Sequence, residues 1–144
     1  MPADGLQPTM NIKYRERHDG AHLSIIALRD KVKVGAIWLK IATAEELEGS
    51  YDAIADTDII EEDGEVGFLN DLVVNKDCRR QGIGRELVAR LRAFAAREGV
   101  LFLYVHAVNV EDVDPVPFYE ECGFEKIGED SGGDPYLKIS SISS

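Results

Sequence analysis

The chain has 144 residues, 27 of them acidic and 16 basic, for a formal charge of −11. That length fits one domain with a real core, and that charge argues against nucleic-acid binding, which rests on phosphate neutralisation by Lys and Arg. No run of ~18 apolar residues is present to span a membrane, and Cys78 and Cys122 form neither a CxxC pair nor a disulfide framework, which suits a reduced, cytoplasmic setting.

Met1 to Met10 has no basic n-region and no apolar h-region, so it reads as a disordered leader rather than a signal peptide. Asn11 to Arg17 predicts an edge strand, His18-Asp19-Gly20 a turn, and His22 to Leu28 a second strand. Arg29-Asp30 turns again into a third strand running through Ile41, completing a meander. Ala42 to Ala55 stays open: Ala44 to Leu47 suits a short helix, while Gly49 and the scattered acids suit a loop. Val66 to Val74 predicts a long, mostly buried strand. Within Gly82 to Glu98, Ile83, Leu87, Leu91, Phe94 and Ala95 recur at helical spacing, and Gly99 sits where a C-terminal cap belongs. Leu101 to Val108 is a further strand, so Val74–turn–helix–Leu101 predicts a βαβ unit with parallel strands and a right-handed crossover. Pro115 to Cys122 starts a short helix that Gly123 ends, and Phe124 to Ile127 and Tyr136 to Ile139 close the chain as strands. The domain is expected over residues 11–140, with 141–144 frayed.

The charge is unevenly spread. From Ile41 to Asn75 there is no Lys or Arg, while Glu45, Glu46, Glu48, Asp52, Asp56, Asp58, Glu61, Glu62, Asp63, Glu65 and Asp71 fall there. From Arg79 to Arg97 six arginines stand against Glu86 alone. An acidic segment steers a cationic partner or substrate; solubility or adaptation to salt accounts for the total charge equally well.

Between the buried strand and the helix lies Arg79-Arg80-Gln81-Gly82-Ile83-Gly84. Glycines let such a turn fold sharply and approach a ligand closely. The helix that follows offers unpaired N–H groups and the positive end of its dipole to an anion. The dinucleotide fingerprint GxGxxG fails at Leu87, and the P-loop pattern GxxxxGK[ST] is absent. What fits is [Arg/Gln]-x-x-Gly-x-[Gly/Ala], followed downstream by Asn109, Phe118-Tyr119 and Gly123-Phe124.

That constellation, over roughly Gly67 to Ile127, resembles the GNAT family of N-acetyltransferases. The resemblance implies an α/β (α+β) fold: a mixed, mostly antiparallel twisted sheet with a central splayed parallel βαβ unit. The family's N-terminal helices are reduced or absent here, since residues 11–41 read as strands. It implies acetyl-CoA as co-substrate, with the coenzyme A pyrophosphate on backbone N–H groups of Arg80, Gln81, Gly82, Ile83, Gly84 and Arg85. Arg79, Arg80 and Arg85 add charge there or simply face solvent. Along Leu72, Val73 and Val74, a bulge frees strand groups to pair with the pantetheine arm. Asn109 matches a position that contacts the cofactor or closes a turn, and its loop to Asp114 is longer than usual.

The implied reaction is attack of a neutral amine on the thioester within a ternary complex, with no covalent enzyme intermediate. It needs a proton acceptor, a donor to the carbonyl oxygen and a donor to the leaving sulfur. Tyr119 matches the family tyrosine at the sulfur. For the base, Phe68 stands where an acid is expected. Asn70 shares its strand face and could hold a water, and Asp71 should face the other way by the two-residue period unless the bulge re-aims it. Asn70 and Asp71 are the candidates, with relay through water; Glu65 could also reach in, and His106 reads first as a structural strand-end histidine. His18, His22 and His106 lack metal-ligand spacing, so no metal is expected. The acceptor is expected to be a cationic amine, on a protein or a small molecule, with no nucleic acid or membrane partner and a monomer or homodimer equally open. The competing reading is a catalytically weak acyl-CoA sensor or interaction module on the same fold.

Overall fold

A computed structural model describes residues 12–48, 60–79, 82–107, 114–130 and 132–141. Residues 1–11, where a leader is expected, the acidic stretch 49–59, Arg80, Gln81, residues 108–113 with Asn109, residue 131 and the tail 142–144 lie outside them. The elements run β1 (Ile12–Asp19), β2 (His22–Arg29), β3 (Val32–Ala42), α1 (Ala44–Glu48), β4 (Val66–Val74), α2 (Ile83–Arg97), β5 (Phe102–His106), α3 (Val116–Glu121), β6 (Glu125–Glu129) and β7 (Pro135–Ser140), with a 3₁₀ turn at Lys76–Cys78. The described strands form one sheet in the order β1-β2-β3-β4-β5-β7-β6, in which only β4 and β5 run parallel.

The meander is as the sequence predicts, with its second turn displaced by one residue. Asp30 and Lys31 both take positive φ, 52° and 70°. Two left-handed central residues make the turn whose twist matches paired strands, so Arg29 stays in the ladder opposite Val32. No helix separates β1 from β2. The short helix at Ala44 exists, and its signal was in the sequence: Thr43 and Glu46 form a capping box. The Thr43 amide donates to Glu46 Oε1 at 2.9 Å and the Glu46 amide to Thr43 Oγ1 at 3.2 Å.

Helix α2 buries Ile83, Leu87, Val88, Leu91, Phe94 and Ala95 against Leu23, Ile25, Ile37, Leu39 and Leu69 of the sheet. It ends at Gly99, φ 84°, where the Val100 amide bonds the Ala95 carbonyl at 2.9 Å and the Gly99 amide the Ala96 carbonyl at 3.1 Å, a Schellman cap. A second core on the opposite sheet face joins Leu47, Ile60, Val66, Phe68, Tyr104 and Tyr136. No helix among the described residues is long and apolar enough to cross a membrane. Ser141, expected to fray, is buried: its hydroxyl donates to the Val100 carbonyl at 2.6 Å and its amide to that of Leu101 at 2.8 Å.

Candidate active site

Strand β4 bends at one inserted residue. Trp38 pairs with Asp71 and Leu39 with Leu69, leaving Asn70 as the extra residue of a bulge. Residues directly opposite in a ladder point to the same side. Asp71, opposite Trp38, therefore shares the face of Phe68, opposite Lys40; without the bulge it would sit on the α2 face with Leu69. The bulge also ends the central pairing. β4 matches β5 only over Gly67–Leu69 against Leu103–Val105, so from Asn70 onward the two strands splay apart. Alternate backbone groups of Leu72, Val73 and Val74 on that side then have no partner in β5.

On the α2 side of the splay lies a cleft of about 600 Å³ lined by Val74, Cys78, Arg79, Gly82, Ile83, Gly84, Arg85, Phe118 and Glu121. Gly82 caps the helix with φ 80°, a left-handed conformation that glycine adopts without strain, and a Cβ there would meet nothing within 4 Å. The space beside it is open to a ligand at the N-terminus of a 15-residue helix. Ile83 turns its side chain into the core and offers the cleft only backbone. The arginines are partly engaged: Arg79 Nε donates to the Val74 carbonyl at 3.2 Å, and Arg85 pairs with Glu121 at 2.8 Å. Buried Cys78 accepts a hydrogen bond from Arg29 at 2.7 Å, and both it and Cys122 are free thiols.

Tyr119 is held between Phe118 and Phe124. Gly123, φ 105°, ends α3 in a second Schellman cap, with the Phe124 amide on the Tyr119 carbonyl at 3.0 Å and the Gly123 amide on that of Glu120 at 3.0 Å. The ring contact that accompanies this cap is Phe124 edge-on to Tyr119, centroids 5.3 Å apart. On the other side Phe118 meets Tyr119 edge-on at 5.3 Å and fits against the start of α2 because Gly84 has no Cβ: one would lie 3.3 Å from the Phe118 ring. Tyr119 is 7% exposed. Burial, with the charges of Cys122 and Asp71 behind it, pushes its hydroxyl up to about 12. It stays a neutral donor across the physiological range, and it feels Asp71 through the splay.

Across the sheet, a second cleft of about 380 Å³ is lined by Phe68, Leu69, Asn70, Asp71 and His106. His106 stacks on Tyr136 with centroids 4.4 Å apart, and its Nε2 lies 2.9 Å from Asp130 Oδ2. Asp130 Oδ1 accepts the amides of Gly132 at 2.8 Å and Asp134 at 2.9 Å. The Asp134 amide, the His106 ring and the Gly132 amide outweigh desolvation and hold the Asp130 carboxyl below the usual range. Ligand atoms of His106, Asp130 and Asp134 lie within 4.8 Å of one another, and the bonds just described already occupy both oxygens of Asp130.

A third hollow, about 300 Å³, lies among Thr43, Ala44, Glu45, Ile60, Glu61, Glu62 and Asp63. It is anchored to the sheet: Lys138 Nζ donates to Glu62 Oε2 at 2.6 Å, and the Tyr104 hydroxyl donates to Glu62 Oε1. Burial alone would raise the Glu62 carboxyl, but these two donors hold it below the usual carboxylate range.

The residues singled out in sequence thus divide between two sides of one splay. Leu72, Val74, Arg79, Gly82, Ile83, Gly84 and Arg85 lie on the α2 side or the strand edge, with Tyr119 beside them; Asn70 and Asp71 open on the other side, and Val73 is exposed. Sequence reasoning passed over Phe118 and Glu121 as lining residues, and the pairing of His106 with Asp130. Asp130 is 24 positions away and reaches His106 through the β5–β7 ladder, so no local pattern announced it.

The family model described as the acetyltransferase (GNAT) family matches residues 2–124. No curated protein matches the chain in sequence. Among solved structures, it superposes on an aminoglycoside 6'-N-acetyltransferase complexed with coenzyme A, TM-score 0.64, 17% identity, covering 88% of this chain and 76% of the other. It superposes likewise on the PaiA N-acetyltransferase of Thermoplasma acidophilum with coenzyme A, TM-score 0.62, 19% identity, 83% of this chain and 61% of the other. A third is the ribosomal-protein-S18-alanine N-acetyltransferase of Escherichia coli, TM-score 0.57, 15% identity, 88% and 74%. These likenesses concern the fold, a mixed seven-stranded sheet opened at its one parallel pair. With a family match over most of its length, the chain belongs to the acetyltransferase (GNAT) family and is an acyltransferase.

Proposed function

We propose that the protein transfers an acetyl group from acetyl-CoA to a primary amine, by direct attack within a ternary complex. The observation that carries this reading is the pair of clefts on the two sides of one splay, the first at the N-terminus of α2 and the second lined by Asn70 and Asp71. The fit of coenzyme A rests on the space at Gly82, open among the described residues, and on the edge of β4 beyond Leu69, which has no partner in β5. Backbone N–H groups from Gly82 to Arg85, joined by Arg80 and Gln81, would bind pyrophosphate. The edge of Leu72 to Val74 would take the pantetheine amides as an added strand, with Arg79 yielding the Val74 carbonyl, and Asn109 would complete the cofactor side.

The thioester then lies between the two clefts. Unpaired N–H groups on the splayed edge of β4 are the donors for its carbonyl oxygen. Tyr119, neutral and desolvated, donates a hydrogen bond to the sulfur as it departs. On the far side Asn70 and Asp71 hold the amine and a water through which its proton leaves. Glu45, Glu61 and Asp63, exposed around the third hollow, favour a cationic acceptor by steering. Both protein and small-molecule amines fit, and the similar folds include an aminoglycoside enzyme and a ribosomal-protein enzyme. An open meander in place of a helical lid tilts the choice toward a protein or peptide amine. The other reading, an acyl-CoA sensor with weak catalysis, draws on Phe68, which is apolar and buried where an acid is expected. The test is thiol release from acetyl-CoA with spermidine, kanamycin and peptides bearing a free N-terminus or lysine. Release with at least one amine is expected. None, with CoA binding intact, would favour the sensor.

A further inference from the structure

The amine's proton needs a destination, and the second cleft contains one that the proposed roles of Asn70 and Asp71 leave unused. Asn70 is not a base. An imidazole is by its chemistry a better proton acceptor near neutral pH than a carboxylate. His106 lines the same cleft as Asn70 and Asp71 and is 24% exposed. Strand alternation puts it on the face of Tyr104 and Phe68, the face to which the bulge turns Asp71. Its Nε2 is committed to Asp130 at 2.9 Å. An ionised carboxylate only accepts, so Nε2 carries the proton and Nδ1 keeps its lone pair. Stacking on Tyr136 fixes the ring plane, and two amides fix Asp130 itself.

We infer that His106, oriented by Asp130, receives the proton of the acceptor amine, directly or through the water at Asn70 and Asp71. This rests on the acetyltransferase reading above. As the C–N bond forms and the C–S bond breaks, one N–H proton passes to His106 Nδ1 and then to solvent. The sulfur leaves with the bonding pair, held by Tyr119, and is protonated by water. Asp130 acts only by positioning the ring, and its bond selects the tautomer.

The experiment compares wild type, His106→Ala, His106→Gln and Asp130→Asn in the thiol-release assay, with the same amines and with water alone as acceptor. CoA affinity is measured separately by calorimetry. The expected result is a kcat lowered roughly 100-fold in both His106 variants, with CoA affinity unchanged. Imidazole added to His106→Ala, which leaves a ring-sized space, should restore turnover; it should not help wild type. Asp130→Asn should lose kcat with KM for acetyl-CoA unchanged. The glutamine variant keeps much of the volume and can still bond Asp130, so a folding defect confined to the alanine variant does not obscure the outcome. A His106→Gln protein that binds CoA and turns over like wild type overturns the role of His106. A wild type that binds CoA but releases no thiol with any acceptor overturns the acetyltransferase reading, and His106 with it.

Discussion

Tyr119→Phe removes one oxygen and nothing else, and the structure sets the size of its effect. The ring sits between Phe118 and Phe124, both edge-on, and phenylalanine keeps both contacts. No hydrogen bond to the hydroxyl is found among the described residues, so its loss leaves no orphaned partner there, and stability should change by less than about 1 kcal/mol. The rate is another matter. The hydroxyl sits at about 12, and an ordinary thiol lies near 8.5, so full proton transfer to the leaving thiolate would run uphill by roughly 5 kcal/mol. In the proposed reaction Tyr119 therefore acts as a hydrogen-bond donor to developing charge rather than as a proton donor. Such a bond contributes about 1.5–3 kcal/mol, which corresponds to a roughly 10- to 150-fold loss of kcat. Steady-state thiol release, with CoA affinity by calorimetry and thermal unfolding alongside, measures all three quantities. Wild-type kcat in the variant would refute any role at the sulfur. A loss beyond about 10⁴-fold would refute the hydrogen-bond account in favour of true acid catalysis.

Three further changes probe the cofactor cleft, the sheet and the acidic wall. Gly82→Ala should cost about 1–2 kcal/mol of stability through its left-handed φ and weaken CoA binding roughly tenfold or more by placing a methyl at the anion site; calorimetric affinity equal to wild type would contradict that placement. Gly67→Ala puts a Cβ 2.8 Å from methyls of both Leu39 and Leu103, so overpacking should lower stability by about 1–3 kcal/mol in urea titration; an unchanged midpoint would show the sheet free to yield there. Glu62 has its folded pKa lowered, so its contribution is present above the range of an ordinary glutamate and is lost as pH falls through the folded value. Glu62→Gln should lower the melting temperature at pH 7 and flatten its decline on the acid side; parallel curves for the two proteins would remove the Lys138–Glu62 contact from the stability of the wall.

The parts of this fold that periodicity governs were legible in the sequence. Helix α2 shows its buried stripe from Ile83 to Ala95, and β4 runs from Val66 to Val74 as expected. Turn chemistry located the hairpins to within a residue. The strand order at the far edge was not legible: β7 sits between β5 and β6, and nothing local to Glu125–Glu129 or Pro135–Ser140 dictates which of them meets β5. The burial pattern of the two explains it afterwards. β7 buries Tyr136, Leu137 and Ile139, while β6 is charged and mostly exposed, as suits an edge.

The side proposed for the amine was legible in its residues, Asn70 and Asp71, but not in its geometry, for a different reason. Its geometry depends on the bulge at Asn70, and the stretch Leu69-Asn70-Asp71 has no glycine or proline to mark a break in the strand. Strict alternation sends Asp71 toward α2; the inserted residue turns it through the sheet. The same insertion coincides with the end of β4–β5 pairing. One residue thus accompanies both requirements of the proposed reaction, a free strand edge for the amide-rich arm on one side and a carboxylate for the amine on the other. The charge pattern follows the same division. The arginines of Arg79–Arg97 begin at the cleft proposed for phosphate, and the acids of Glu45–Asp71 end at the cleft proposed for the amine. The net charge of −11 is therefore a poor guide to either proposed ligand, because each cleft presents its own local field, and what would separate an anionic co-substrate from a cationic acceptor in the proposed reaction is a single splay in the sheet.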